Sequence, residues 1–457
     1  MQYQTINPYT EERIQTFPLH TDQELESIIA KAANAYEADW SRRSLAERGG
    51  IVKKAASLLR ENTDQYAKLS VLEMGKLFRE AQWEVDLCAD ILDYYADNAA
   101  VFLAPEKLLV KSGEAVIESG PLGVLFCIEP WNYPYYQLAR VAAPNLMLGN
   151  TILCKHAPNV PQCALAFEKL FLDAGAPAGV WTNVFATNEQ SATIIADDRI
   201  RGVALTGSER AGAAVASEAG QALKKSTMEL GGSDPFIVLD DADLDIAVKS
   251  AVWGRMQNTG QACTAAKRFI VLDSIADTFI SRFKAGLESV KPGDPMDPDT
   301  SLGPLCTDAA LGLVLKQIDA AVGGGAKILL GGTKLDRRGF FLAPTILTEV
   351  RPDNPAYRQE FFAPVAMIFR VENEAEAVKL ANDSPFGLGA TVITKDIERG
   401  KRIARLIESG MVFINEATGS APELPFGGVK NSGYGRELSH LGISEFVNKK
   451  LIRVAAF

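Results

Sequence analysis

Residues 203–212 read VALTGSERAG. An apolar run ends in a glycine and a serine and then gives way to helix formers, which predicts a strand, a tight turn and a helix. Two apolar runs precede it, VLFCI at 124–128 and TILC at 151–154, each followed by a helix-length segment. The texture returns downstream: FIVL at 236–239 and again at 269–272, VAMIF at 365–369, TVIT at 391–394 and MVFIN at 411–415. Short apolar strands alternating with helices predict parallel sheets covered on both faces. So many strands suit two sheet-bearing units better than one. The fold class is α/β.

Upstream of these runs the first ~100 residues read as amphipathic helix. Thr21-Asp22-Gln23-Glu24 is a capping box, and Leu25, Ile28, Ile29 and Ala32 follow at helical spacing. Further helical stretches are predicted near 45–60 and 65–99, with Gly49, Gly50 and Gly75 as interruptions. The 457 residues are 47% hydrophobic and 23% charged, enough apolar material for a large core and too long for one domain. A net charge of −10 removes the bulk attraction that nucleic acid or an anionic membrane would need. Six scattered cysteines with no CxxC pair, and three histidines, leave little for a metal site or a histidine-based triad. No metal is expected. The absence of a long apolar run or a basic leader predicts a soluble cytoplasmic protein.

Four stretches carry chemistry. Cys263, in QNTGQACTAAKR (257–268), follows a glycine turn that can present a thiolate at a cleft; the alternative is an inert buried thiol. Glu229, in TMELGGSDP (227–235), is a carboxylate in an apolar strand, where burial raises its basicity; the alternative is a surface residue at a strand end. Asn132, in EPWNYP (129–134), is held by prolines and aromatics and suits an oxyanion donor, or is a turn residue. LTGSERAG (205–212) can aim a helix N-terminus at a pyrophosphate, although it is neither GxGxxG nor a P-loop.

Taken in order, PWNYP, LCKHAP (153–158), LTGSERAG, MELGG, NTGQAC, QEFFAP (359–364) and LPFGGVKNSGYGRE (424–437) resemble the aldehyde dehydrogenase superfamily over essentially the whole chain. The resemblance implies a Rossmann-like cofactor domain, an α/β catalytic domain and a small β oligomerisation element. It implies Cys263 as nucleophile, Asn132 with the Cys263 amide as oxyanion hole, and Glu229 as the base that activates water. It also implies NAD or NADP contacts from Trp131, Lys155, His156, Pro158, Gly207, Ser208, Leu230, Glu360 and Phe362. NAD-preferring members usually carry Glu where this chain has Pro158. Proline offers no charge against a 2′-phosphate that Lys155 can attract, so NADP is expected to be accepted and even preferred. Ala363 replaces a customary glycine, a minor departure.

On the substrate side, Arg140 and Ser420 match positions that hold the distal carboxylate in members acting on succinate semialdehyde, and Tyr136 is expected along the same tunnel. The resemblance therefore implies NAD(P)-dependent oxidation of succinate semialdehyde, with glutarate semialdehyde or a broader aldehyde set as the alternative. A redox-free Cys–Glu hydrolase leaves the cofactor-loop residues unexplained, and a non-enzymatic role would not need Cys263, Glu229 and Asn132 together. Implied boundaries are 1–102 and 122–231 for the cofactor-binding domain, 232–431 for the catalytic domain, and 103–121 with 447–456 for the oligomerisation element. A homodimer or dimer of dimers is expected from that element.

Overall fold

The computed structural model describes residues 2–456. Six strands form one sheet in the spatial order Trp181–Asn183, Thr151–His156, Val124–Glu129, Ile200–Thr206, Lys225–Glu229 and Gly433–Tyr434. The first five are parallel, and the last is an antiparallel edge. Numbered along the chain, the parallel strands lie in the order 3-2-1-4-5, so the winding reverses between Val124–Glu129 and Ile200–Thr206. Doubly wound sheets receive ligands beyond the carboxyl ends of the strands at such a reversal. The VALTGSERAG stretch does what its pattern predicts. Its strand ends at Thr206, and Ser208 caps the helix Glu209–Gln221, its hydroxyl accepting the Ala211 amide at 3.3 Å.

Alternate residues of each strand serve opposite faces. Leu125 and Cys127 pack with Ile152 and Cys154 against the N-terminal helices, whereas Val124, Phe126, Leu153 and Val203 pack against Asp22–Ala38. A second, seven-stranded sheet holds Ala266–Leu272, Asp234–Val238 and Val365–Val371 at its centre. It is parallel except for the edge strand Lys327–Leu330. Its two faces bury separate apolar clusters. A third sheet pairs Glu114–Pro121 with Glu106–Lys107 on one side and with Val447–Val454 on the other, all antiparallel. The outer strand Val447–Val454 is exposed along nearly its whole length.

The helices at the start follow their capping signals. Glu24 closes the Thr21 box, accepting the Thr21 amide at 2.7 Å. Gly75 ends the helix Thr63–Met74 at φ 75°, and Phe78–Phe102 begins a new direction. Gly49 and Gly50, expected to interrupt, lie inside the unbroken helix Leu45–Glu61, whose own Ser44–Glu47 box and buried face outweigh two poor helix formers. The N-terminal segment is not purely helical. Tyr3–Ile6 and Arg13–Phe17 form a hairpin, held by the Gln4 amide on the Pro158 carbonyl at 2.9 Å, a partner too distant in sequence to leave a local signal.

Candidate active site

The parallel strands of the first sheet deliver the predicted residues to one end. Val124–Glu129 runs out just before Trp131 and Asn132, Thr151–His156 closes on Lys155 and His156, and Pro158 follows. Ile200–Thr206 is followed by Gly207 and Ser208, and Lys225–Glu229 closes on Glu229, with Leu230 next. Both sides of the winding reversal therefore contribute.

Cys263 comes from the other unit, after the helix Leu244–Met256 and a constrained loop. Asn258 (φ 50°) and Thr259 (φ 55°) are consecutive left-handed residues, a conformation that costs about 1–2 kcal/mol each without glycine. Contacts from outside hold it. Asn258 Nδ2 donates to the carbonyls of Asn132 (2.7 Å) and Gln261 (3.0 Å), and Arg255 donates to the Gly260 carbonyl at 2.7 Å. Lys267 donates to the carbonyls of Ala262 (2.8 Å) and Cys263 (2.7 Å). Asn132 Nδ2 donates to the Gln261 carbonyl at 3.1 Å, and Gln137 donates to Asn132 Oδ1 at 3.4 Å. The Asn132 amide is thus fixed beside the Cys263 loop, with its second N–H free of any acceptor among the described residues.

The half-buried Cys263 opens onto a cavity of about 640 Å³. Tyr136, Gln137, Trp253, Gln257, Ser420 and Phe426 share its wall. Burial pushes the Cys263 thiol up to about 12, against the pull of Lys267 and Arg140. On the wall the Tyr136 hydroxyl and the Ser420 hydroxyl lie 2.6 Å apart.

Arg140 is not on that wall. The resemblance placed its guanidinium on the distal carboxylate of the substrate; the structure puts it one layer behind the cavity wall. It is flanked by the rings of Tyr136 (4.7 Å) and Phe426 (4.5 Å) and paired with Glu437 at 2.6 Å. It also donates to Tyr136 Oη (3.4 Å) and Thr206 Oγ1 (3.2 Å). Burial alone would lower this guanidinium, but Glu437 and Tyr136 hold it above its ordinary value. A buried charge requires a partner, and Glu437 supplies one from within the protein.

Glu229 is buried, and neither carboxylate oxygen has a hydrogen-bond partner. Burial first, and Glu437 second, push its carboxyl well above the usual range; Arg140 and Arg436 oppose them. A Cβ on Gly427 would meet Glu229 Oε1 at 2.6 Å, so only glycine leaves that carboxylate its place.

At the carboxyl ends of the parallel strands, Lys155 is buried with no carboxylate partner among the described residues, above the Tyr3 ring at 5.9 Å. Burial holds its ammonium below the ordinary range. An unpaired buried cation of this kind fits a phosphate. Glu360 accepts the Gly232 amide at 3.2 Å and pairs with Lys267 at 3.0 Å, and Phe362 meets Trp131 edge-on at 5.7 Å. A Cβ on Gly231 would lie 2.4 Å from Glu360 Oε2. His156, expected among the cofactor contacts, is committed elsewhere. It is fully buried, with Nε2 on the Pro134 carbonyl (2.9 Å) and Nδ1 accepting the Ala157 amide (2.9 Å). Burial lowers it to about 4, so the ring is neutral and structural. Its strand is buried along its whole length, so this position faces the protein interior.

Sequence reasoning missed Glu437, Lys267 and Asn258. Glu437 lies in the GYGRE motif without a role read from it, and its signal was a carboxylate beside apolar partners. Lys267 and Asn258 flank Cys263, and their hydrogen bonds to main-chain carbonyls leave no pattern in the sequence.

The model of the aldehyde dehydrogenase family matches residues 1–452. The succinate-semialdehyde dehydrogenase [NADP(+)] of Deinococcus radiodurans is 51% identical over 451 residues, covering 99% of this chain and 94% of the relative. The succinate semialdehyde dehydrogenase [NAD(P)+] Sad of Escherichia coli is 44% identical, covering 97% and 96%. The crystal structure of succinic semialdehyde dehydrogenase from Streptococcus pyogenes in complex with NADP+ superposes with a TM-score of 0.98 at 49% identity, covering 99% of this chain and 100% of that one.

Proposed function

This chain belongs to the aldehyde dehydrogenase family, and we propose that it oxidises succinate semialdehyde to succinate with NADP, or NAD, as hydride acceptor. One observation carries the reading: a single cavity combines the Cys263 thiol with the Tyr136–Ser420 hydroxyl pair, and the fixed Asn132 amide stands beside the Cys263 loop. A thiol suits addition to a carbonyl carbon, and two hydroxyls suit the far carboxylate of the same small molecule. The names of the relatives agree with it.

In this reading the Cys263 thiol loses its proton to solvent through the open cavity, and the sulfur adds to the aldehyde carbon as the thiolate. The second N–H of Asn132 and the main-chain amide of Cys263 meet the oxygen as it becomes negative. A bound nicotinamide dinucleotide supplies the hydride acceptor. Water then cleaves the acyl–Cys263 thioester, and Glu229 takes its proton; the apolar burial that raises this carboxyl also makes it a stronger base. Lys155 and Pro158 would hold the adenosine end, Gly207 and Ser208 the pyrophosphate, and Glu360, Trp131, Leu230 and Phe362 the nicotinamide riboside. Arg140 acts on the carboxylate subsite through Tyr136, which it orients.

A second reading has its own observation. Among the described residues on the cavity wall, Lys249 is the one cation, and it stands exposed on the helix Leu244–Met256, which precedes the Cys263 loop. A longer ω-semialdehyde such as glutarate semialdehyde brings its carboxylate nearer to Lys249. Nicotinamide absorbance with succinate semialdehyde, glutarate semialdehyde and butanal, each with NADP and NAD, separates the two. Highest kcat/KM for succinate semialdehyde is expected. A glutarate optimum favours the second reading, and no reduction with any aldehyde ends both.

The sheets support assigning 1–102 and 122–231 to cofactor binding, 232–431 to catalysis, and 103–121 with 447–456 to subunit contact. The exposed strand Val447–Val454 supports a dimer or dimer of dimers. Among the described residues no helix is long and apolar enough to cross a membrane, and a cytoplasmic location is part of the proposal.

A further inference from the structure

The helix Tyr136–Leu148 starts without a side-chain cap of its own. Its first amides are instead taken by a residue about fifty positions earlier. Glu84 Oε1 accepts the amides of Tyr135 (2.8 Å) and Tyr136 (3.0 Å), immediately after the segment that carries Asn132. The other oxygen of Glu84 binds the Lys76 ammonium, and both side chains are fully enclosed. Lys76 also lies over the Tyr133 ring at 3.7 Å. A fully buried carboxylate with this many satisfied partners is a fixed strut, because losing any one of them leaves an uncompensated group.

One turn earlier on the same helix, Phe78–Phe102, Glu80 Oε2 accepts the Asn258 amide at 3.2 Å. Asn258 begins the left-handed pair that leads to Cys263, a conformation that persists only where its surroundings over-determine it. Burial raises the Glu80 carboxyl above its ordinary range, and the Lys76 ammonium and the Asn258 amide offset only part of that. One helix end therefore grips two loops that belong to different sheets.

We propose that Glu84 and Glu80, with Lys76 between them, are the positioning residues that hold the Asn132 segment and the Cys263 loop at a fixed separation. The inference rests on the reading of Cys263 and Asn132 given above, and neither carboxylate touches the reacting atoms. The chemical consequence follows from geometry: a misplacement of about 1 Å between nucleophile and oxyanion donor costs on the order of a hundredfold in rate.

The test compares Glu84→Leu, Glu84→Gln, Glu80→Ala and Glu80→Gln at a temperature where each is folded by circular dichroism. It measures kcat, dinucleotide affinity by fluorescence, and the rate at which iodoacetamide alkylates Cys263. Glutamine keeps an acceptor oxygen, so Glu80→Gln is expected to retain kcat within about threefold. Glu84→Gln keeps the acceptor for the Tyr135 and Tyr136 amides but leaves the buried Lys76 without its counter-charge, so it is expected to lose stability while keeping more of its kcat than Glu84→Leu. Glu84→Leu is expected to lose about tenfold or more in kcat, with dinucleotide affinity and alkylation unchanged. Glu80→Ala is expected to change both kcat and the alkylation rate. Wild-type kcat in folded Glu84→Leu or Glu80→Ala overturns the proposal; if Glu84→Leu does not fold, Glu80→Ala, at a half-buried site, decides alone. Unaltered turnover in Cys263→Ala would instead remove the underlying reading and leave this comparison recognisable as a separate result.

Discussion

Arg140 Nε lies 2.6 Å from Glu437 Oε2, and both side chains are buried behind the cavity wall. The pair joins the helix Tyr136–Leu148 to the GYGRE segment, and Glu229 and Glu129 sense both charges. Breaking one side of such a pair leaves an uncompensated charge, at a cost of about 3–5 kcal/mol. Glu437→Gln is expected to lose stability of that order in urea unfolding, and Arg140→Met/Glu437→Leu to recover most of it. Equal losses for the single and double variants would show that the pairing is not what stabilises this layer.

The carboxylate subsite is expected to reside in the Tyr136–Ser420 hydroxyl pair. Ser420→Ala should lower kcat/KM for succinate semialdehyde about tenfold, the value of one hydrogen bond to a charged group, and leave butanal nearly unchanged. Parallel losses on both aldehydes would place the hydroxyl outside substrate recognition.

Cys263 and Glu229 are expected to fail at different steps. Cys263→Ala should lose about a thousandfold or more in turnover. Glu229→Gln should still release one equivalent of reduced dinucleotide per site in rapid mixing, then stall on an acyl-enzyme visible by mass spectrometry. A Glu229→Gln variant that turns over steadily at the wild-type rate contradicts its role as base.

Lys155 has no internal counter-charge among the described residues and is expected to meet the 2′-phosphate of NADP. Lys155→Met should lower kcat/KM for NADP by roughly 10–100-fold, as for loss of a charge-assisted bond, and affect NAD far less. The ratio of the two constants is the measurement, and an unchanged ratio refutes the assignment.

His156 is expected to stay neutral down to about pH 4. Its folded-state value lies below the unfolded value of about 6.5, so between those limits the unfolded chain binds more protons. Its contribution is complete above pH ~6.5 and is lost as pH falls toward 4, by up to about 3 kcal/mol. With three histidines in the chain, selective ¹³C labelling resolves them by NMR. The resonance removed by His156→Gln should not shift between pH 8 and 5, and a midpoint inside that range would refute the assignment.

The local periodicities of this chain determined much of its fold. Eight quoted apolar runs became strands, and the Thr21 box and Gly75 did what their chemistry requires, because capping, turns and strand burial are decided by residues a few positions apart. Order and spacing of the motifs pointed to Cys263, Glu229 and Asn132 as candidates before any coordinates. What only the tertiary structure decided is which charges face each other. Arg140 was legible through its match to the carboxylate-holding position of the family, but Glu437, almost 300 residues later, chooses whether its guanidinium faces the cavity or the core. The same holds for His156, silenced by the Pro134 and Ala157 backbone, and for Glu84, whose amide donors come from a helix start about fifty residues further along the chain. Electrostatic energy depends on distance and burial rather than on separation along the chain, so the roles of ionisable groups emerge only when the fold has closed around them.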